Sequence, residues 1–396
     1  MTVTASGAAG RLLGPDELRE HVEWLAAIER GTASPGERAA GERLARILED
    51  LGFATHRDAE RVHGTYWWPI GLPTATAALA ALTRSRTLAA LVGAAAAAAT
   101  ADDITAGPRS LRRILPHRET VNVWGELGPA DADRTVIVVA HHDAAHSGLV
   151  FEPESPRALL RKLPPQVRAR FNTTPPTMWG AVAGPAFVAL GALFGRRRLE
   201  RLGALLSAGY AAAMADIALR GVVPGANDNA SGVATALALA HWLAGDAPAG
   251  LRAVIVLPGA EESFMEGMVA WCDRHLDRYD PATTTVLCLD TVGSPELVAL
   301  EGEGMLAMNE YPKDLLQLIH AAADELGIRV HRGLRFRNAT DGLITLKRGY
   351  RTAMLGSADE FKLPTNYHWP TDTPDRVDYD TVADAARLCR RVIERL

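Results

Sequence analysis

Apolar and polar positions follow two different periods along this chain. In DELREHVEWLAAIER (16–30) and PGERAAGERLARILEDLG (35–52) the apolar residues recur at helical spacing among charges, which predicts two amphipathic helices, with Gly52 ending the second. An extended stretch runs on to about residue 66. Further on, VNVWGEL (121–127), TVIVVA (135–140), LRAVIVLPG (251–259) and TTVLCLD (284–290) are short, β-branched apolar runs, as buried strands should be. Helical patterns over 231–243 and 380–395 alternate with them, and the order predicts an α/β sandwich.

Two segments interrupt this plan, one from Tyr66 to about Leu115 and one over about 150–221. Each contains a pair of Ala-rich apolar runs: 69–82 and 88–101 flank Arg84-Ser85-Arg86, while 178–195 and 202–219 flank Arg196-Arg197-Arg198. Both read as inserted helical hairpins that pack on each other, beside the active site, as a four-helix bundle. Tyr66, Trp67, Trp68 and Trp179 stand at their entrances, and aromatic entrances with Arg tips are what hairpins in a membrane would carry. Against that, the first pair's legs are shorter than the roughly 20 residues of a span, and the last leg holds Asp216. The pattern leaves open membrane association through 69–101 and 178–219 and a soluble bundle serving as cap or oligomer interface. The Pro-rich stretch 147–176 reads as an irregular rim over the cleft or a connector.

The candidate chemistry lies where the strands end. TVIVVA delivers His141-His142-Asp143; side chains alternate along extended backbone, so His141 and Asp143 share a face and His142 points away. That suits a His ligand whose second ring nitrogen is held by a carboxylate. In GANDNASG (225–232), Asp228 and Asn229 precede a helical run, where such residues ordinarily serve as caps. Gly225 and Gly232 let backbone approach closely, and a carboxylate held there could bridge two cations. The second strand ends in Ala260-Glu261-Glu262, so one carboxylate could bind metal while its neighbour stays free as a base; paired loop acids are more often merely solvated. Asp290 ends the third strand, and Tyr367-His368-Trp369-Pro370-Thr371-Asp372 sets a His in a Pro-bearing loop.

In this order, His-x-Asp, Asn-Asp-Asn-x-Ser-Gly, Glu-Glu, Asp and His-x-x-x-Asp, the chain resembles the co-catalytic (dinuclear) zinc aminopeptidases. That family also contains glutamate carboxypeptidases, glutaminyl cyclases and the transferrin receptor. The likeness covers roughly residues 14–61, 119–149 and 222–396. It implies a three-layer α/β/α sandwich around a mixed, mostly parallel sheet: one catalytic domain over 1–396, interrupted by the hairpins at 66–115 and 150–221. It further implies two zinc ions per chain, with His141, Asp228 and Asp290 on one, Glu262 and His368 completing the other, and Asp228 bridging. Which terminal ligand belongs to which ion stays open. Glu261 becomes the general base toward a water shared by the ions, and Asp143 orients His141. Cobalt or manganese would suit the same donors.

The chain departs from the family pattern at Ala260, where Gly is usual, and at Met265-Glu266-Gly267-Met268, where Gly-Ser often follows. These changes bear on substrate preference more than on metal binding. His142 stands where an aromatic is common, and His146 is a spare imidazole. Thr340-Asp341-Gly342 resembles the family's Ser-Asp loop, which would put Asp341 in the substrate pocket; a turn-forming Asp-Gly explains it equally well. The leading expectation is an aminopeptidase releasing N-terminal residues from short peptides. The alternatives are a carboxypeptidase, a small-amide amidase or a glutaminyl cyclase-like enzyme, and more remotely a non-catalytic binding protein of the same fold.

Composition narrows this little further. A formal charge of −5 gives no reason to expect nucleic acid. Three cysteines without C-x-x-C spacing argue against a disulfide framework and for a reducing compartment. The N-terminal MTVTASGAAGRLLGPDELRE lacks the basic start and apolar core of a signal peptide, so the expected location is cytoplasmic or membrane-associated.

Overall fold

The computed structural model describes residues 10–168 and 170–396; the first nine residues of the stretch read for a signal peptide lie outside them. The strands are β1 (Ala54–Val62), β2 (Arg118–Leu127), β3 (Arg134–Val139), β4 (Leu251–Leu257), β5 (Thr284–Leu289), β6 (Glu296–Ala299), β7 (Gly302–Glu303), β8 (Asn309–Glu310), β9 (Val330–His331), β10 (Arg335–Phe336) and β11 (Arg351–Ala358). Eight of them form one mixed, mostly parallel sheet in the order β1-β2-β4-β3-β5-β11-β6-β9, and β10-β7-β8 form a small second sheet. The central run β4-β3-β5-β11 is parallel throughout, so its carboxyl ends share one edge.

The helices are α1 (Pro15–Ala26), α2 (Pro35–Asp50), α3 (Trp67–Ala80), α4 (Arg86–Ile104), α5 (Glu154–Arg161), α6 (Pro165–Arg168), α7 (Trp179–Leu193), α8 (Arg197–Leu219), α9 (Gly232–Asp246), α10 (Glu266–His275), α11 (Lys313–Leu326), α12 (Asp341–Lys347) and α13 (Tyr379–Arg395). The two-residue period of the strands sorts them into layers. Val136 and Val138 pack with α1, α2, α9, α11 and α13 in one core. Ile137 and Val139 face the other way, toward α10, α12 and the base of the hairpins. Strands buried on both faces are what continuous apolar runs such as TVIVVA require.

The hairpins α3/α4 and α7/α8 pack together as a four-helix bundle. Stretch 147–176, expected to be irregular, instead contains α5 and α6. The former is anchored because Arg157 donates to Asp359 Oδ2 at 2.7 Å and to the Pro153 carbonyl at 2.9 Å.

Candidate metal centre

Four loops leave the carboxyl edge of β3, β4, β5 and β11, and they carry His141, Glu261 and Glu262, Asp290, and His368 respectively. Asp228 arrives from the tight turn Ala226–Ser231 that leads into α9. Its carboxylate lies between the two imidazoles: Oδ1 is 3.3 Å from His141 Nε2 and Oδ2 is 3.2 Å from His368 Nε2. Asp290 Oδ2 and Glu261 Oε2 each stand 3.9 Å from His141 Nε2, and Glu262 Oε2 stands 3.1 Å from His368 Nε2. Three sets of donors, His141/Asp228/Asp290, Asp228/Glu262/His368 and His141/Glu261/Glu262, each have ligand atoms within 4.8 Å of one another.

Neighbouring backbone fixes these side chains. Asp143 accepts the Glu261 and Glu262 amides at 3.0 and 3.1 Å and the Thr32 hydroxyl at 2.6 Å, while its Oδ1 lies 3.4 Å from His141 Nδ1. One buried carboxylate thus ties the first His to the turn bearing both acids. Asp372 accepts the Asn227 and Asp228 amides at 2.8 and 3.0 Å, and Arg30 donates to the Gly225 carbonyl at 2.6 Å. Of the two candidate caps for α9, Asp228 does not serve. Its neighbour Asn229 does that work, accepting the Gly232 and Thr291 amides through Oδ1. Close approach explains the flanking glycines, since a Cβ on Gly232 would sit 2.2 Å from Asn229 Oδ1 and one on Gly225 2.5 Å from the Asp228 carbonyl.

The acid-bearing turn is strained. Ala260, Phe264 and Met265 adopt left-handed φ of 53°, 64° and 58°, a region that favours glycine. This is the physical reason glycine suits position 260, and the chain tolerates alanine there because Asp143, Glu37 and Arg112 hold the turn from outside. Glu37 accepts the Ala260 amide at 2.9 Å, and Arg112 donates to the Ser263 carbonyl at 2.9 Å. His368, at φ 50°, is also left-handed, and strain of this kind clusters at functional sites.

The residues present fit a cationic occupant. Asp143, Asp228, Glu261, Glu262, Asp290 and Asp341 are all buried, and Arg30 is the guanidinium set beneath them. Both ring nitrogens of His141, His368 Nδ1 and Glu262 Oε1 are buried without a hydrogen-bond partner among the described residues. Crowding of like charge in a dry site raises carboxyl pKa values. Burial, with Asp228 adding, pushes Asp290 up to about 7, and burial with neighbouring acids pushes Glu261, Glu262 and Asp341 upward. Burial works against protonated His368, yet Glu262 and Asp228 outweigh it and lift the imidazole to about 10. Divalent ions are the partners such a donor set wants.

His142 and His146 belong to none of these donor sets. His142 turns its Nδ1 to the Leu257 carbonyl at 3.1 Å, and burial lowers its pKa to about 4. His146 sets its Nδ1 2.8 Å from the Arg220 carbonyl and packs on Trp67. Asp341 is buried with neither oxygen hydrogen-bonded, close enough to Glu261 to raise its pKa. Thr32, Arg30 and Glu37 are supporting residues that sequence reasoning missed. Nothing local marks them, because the partners through which they brace the site lie 83 to 223 positions away.

A cavity of about 660 Å³ opens beside the cluster. Its lining includes Phe151, Pro364, Tyr367 and the α8 residues Leu206, Met214 and Ile217. Phe151 meets the His368 ring edge-on at 4.5 Å between centroids, and Tyr367 stacks on it at 3.9 Å, so apolar wall and ligand are continuous.

Residues 211–393 match the family model described as Peptidase family M28. None of the curated proteins matches the chain in sequence. Among solved structures, the chain is similar to a Zn-dependent exopeptidase from Parabacteroides distasonis (14% identity, TM-score 0.57, covering 98% of this chain and 100% of that one). It is also similar to a leucine aminopeptidase precursor from Bacteroides thetaiotaomicron (14%, 0.59, 98% and 99%) and to a glutaminyl cyclase from Tannerella forsythia (15%, 0.59, 97% and 99%). At such identity these likenesses establish the fold, that of the zinc exopeptidases. Asp228, Glu262, Asp290 and His368 all lie inside the matched stretch and converge on one buried His/Asp/Glu cluster, so the chain has the zinc-exopeptidase fold and its residues 211–393 are similar to peptidase family M28.

Proposed function

We propose that the chain is a two-zinc amide hydrolase, most simply an aminopeptidase that releases N-terminal residues from short peptides. The observation that carries this reading is the placement of Asp228, each of whose oxygens faces a different imidazole, as a bridge requires. In this reading His141, Asp228 and Asp290 hold one ion and Asp228, Glu262 and His368 the other. Bound there, the ions would supply Lewis-acid activation of water and of the scissile carbonyl.

The chain's own residues supply the rest. Glu261 takes the proton from the attacking water as the C–O bond forms and returns it to the nitrogen as the C–N bond breaks. A carboxyl whose pKa is raised by burial is suited to both halves of that shuttle. Asp143 positions His141 and the Glu261-Glu262 turn together. Asp341, a buried acid without a hydrogen-bond partner near Glu261, suits the ammonium of a peptide N-terminus. The apolar cavity beside His368 suits an apolar side chain.

A second reading is favoured by the glutaminyl cyclases among the structural neighbours. A panel of aminoacyl, carboxyl-terminal and N-terminal glutaminyl substrates, run with and without chelator, separates the two. Chelator-sensitive release from aminoacyl substrates is expected. Cyclisation of N-terminal glutamine with no aminoacyl release would overturn the aminopeptidase reading.

A further inference from the structure

We infer that the α3/α4/α7/α8 bundle sits in the hydrocarbon layer of a lipid bilayer. Its packing is inverted relative to a bundle in water. Large apolar side chains point outward on every helix: Leu72 and Leu79 from α3, Leu88 and Leu91 from α4, Leu190 and Leu193 from α7, Leu202 and Leu205 from α8. Leu205 is 71% exposed and Leu91 66%.

Small residues lie inside. Gly93 approaches α7 so closely that a Cβ would sit 2.7 Å from the Ala189 amide nitrogen, and a Cβ on Gly203 would sit 2.5 Å from that of Val188. Thr74, Thr100 and Ser207 also face inward. Small residues between helices and leucines toward the solvent are the arrangement of helices packed in lipid.

Polar groups are distributed to match. No charged residue occurs in 87–101 or 202–215. At the base, where α4 and α8 end, Asp103 pairs with Arg112 at 2.6 Å and Asp216 with Arg220 at 2.8 Å, while Asp102 accepts the Ser110 amide at 2.8 Å. On the outward faces the exposed polar residues include Thr87, beside the Arg-bearing tip, and Thr76, whose hydroxyl donates back to the Pro73 carbonyl at 2.8 Å. Trp68 and Trp179 are half exposed at the base, where aromatic residues anchor at an interface.

Arg84, Arg86, Arg196, Arg197 and Arg198 gather at the far tip, where Arg86 donates to the Ala192 carbonyl and joins the two hairpins. Guanidinium groups complement lipid phosphates. At ~1.5 Å per residue, helices of 14 to 23 residues reach roughly 21–35 Å, which brackets a hydrocarbon core of about 30 Å. The charge-free band is somewhat thinner, and snorkelling arginines make up the difference.

Two other occupants fit less well. The core helix of a water-soluble protein is mostly buried, whereas only 33% of the apolar window of α4 and 22% of that of α8 are buried here. A second copy of the chain would cover one side of the bundle, but the outward leucines lie on all four helices, and only a surrounding solvent covers them all.

The test places single cysteines at Leu91, Leu193 and Glu20 in the full chain, with the buried Cys272, Cys288 and Cys389 replaced by alanine, embedded in nanodiscs of phosphatidylcholine and phosphatidylglycerol. With a charged maleimide, Leu91→Cys and Leu193→Cys should lose labelling in nanodiscs and regain it in sodium dodecyl sulfate, while Glu20→Cys labels in both. The unmodified protein should float with vesicles of the same lipids after an alkaline wash, a measurement independent of how the variants fold. Labelling of all three positions in nanodiscs would overturn the inference. So would a wild-type protein that stays in the aqueous fraction without lipid or detergent, whether as a monomer or as a dimer with a protected bundle.

Discussion

The sheet and the bundle bury opposite things. Around the sheet, Leu237, Ile137 and Val254 are fully enclosed; the donor cluster gathers buried charge, and other buried acids such as Glu303 are held by hydrogen bonds, here from Tyr311 and Thr340. In the bundle Ile70, Met214 and Ile217 are enclosed at the base, while the cluster toward the tip is Ala89, Val188 and Ala192, with leucines outside. The difference teaches that apolarity alone does not say where a side chain goes; the solvent the surface faces decides it. It also divides the labour: the sheet edge carries the chemistry, and the bundle contributes the apolar wall of the cavity through Leu206, Met214 and Ile217.

If that division holds, rate should respond to the sheet edge first. Glu261→Gln keeps the side chain's volume and removes the proton acceptor, so turnover should fall about 10²–10⁴-fold with metal content unchanged. Glu262→Gln should instead lower metal content, because Glu262 Oε2 faces His368 Nε2 at 3.1 Å. Steady-state kinetics with metal analysis on both variants checks this, and reversed phenotypes would exchange the two roles.

Stability should separate the regions next. Leu237→Ala in α9, fully buried, should cost about 2–5 kcal/mol. Leu205→Ala on the outward face of α8 should stay within about 0.5 kcal/mol when unfolding is followed in detergent micelles. Equal losses would mean that the bundle is an ordinary core.

A smaller effect comes from pH. Folding raises Asp290 to about 7 and His368 to about 10, both above their unfolded values. Each group therefore favours the folded chain when protonated. Asp290 gives up its contribution as pH rises from about 4 through 7, and His368 as it rises from about 6.5 through 10. Metal-free protein should accordingly lose thermal stability between about pH 5 and pH 8. The stabilisation conferred by zinc should grow over the same interval, since its ligands bind deprotonated. A metal-free Tm that climbs toward pH 8 would contradict the charge crowding described at the site.

The smallest effect is at Ala260. Relieving its φ of 53° with Ala260→Gly should gain up to about 1 kcal/mol in chemical denaturation, whereas a loss would show that the turn is not strained there.

Much of this was legible in sequence because it is local. Strands such as Thr284–Leu289 announce themselves by β-branched apolar runs, and His141, Glu261, Glu262 and Asp290 follow such runs directly. The hairpins were legible as Ala-rich runs flanking arginines, but which face each leucine takes is visible only in the packed helices. Beyond Asp290 no strand was read. β11 (Arg351–Ala358) lacks a long β-branched run, and it owes its place to pairing with β5. Thr32, Arg30 and Glu37 were invisible for a different reason: each acts on a residue distant in sequence, through hydrogen bonds that carry no pattern. Asp228 and Asn229 were both legible as caps; Asn229 takes that role, and the aspartate faces both imidazoles.

The account rests most heavily on Asp228 serving two ions at once. Metal analysis of the zinc-reconstituted protein, purified away from free ion, tests that directly. Two ions per chain are predicted, falling to one or none in Asp228→Asn with the fold retained by circular dichroism. At most one ion per chain in the unmodified protein would contradict it.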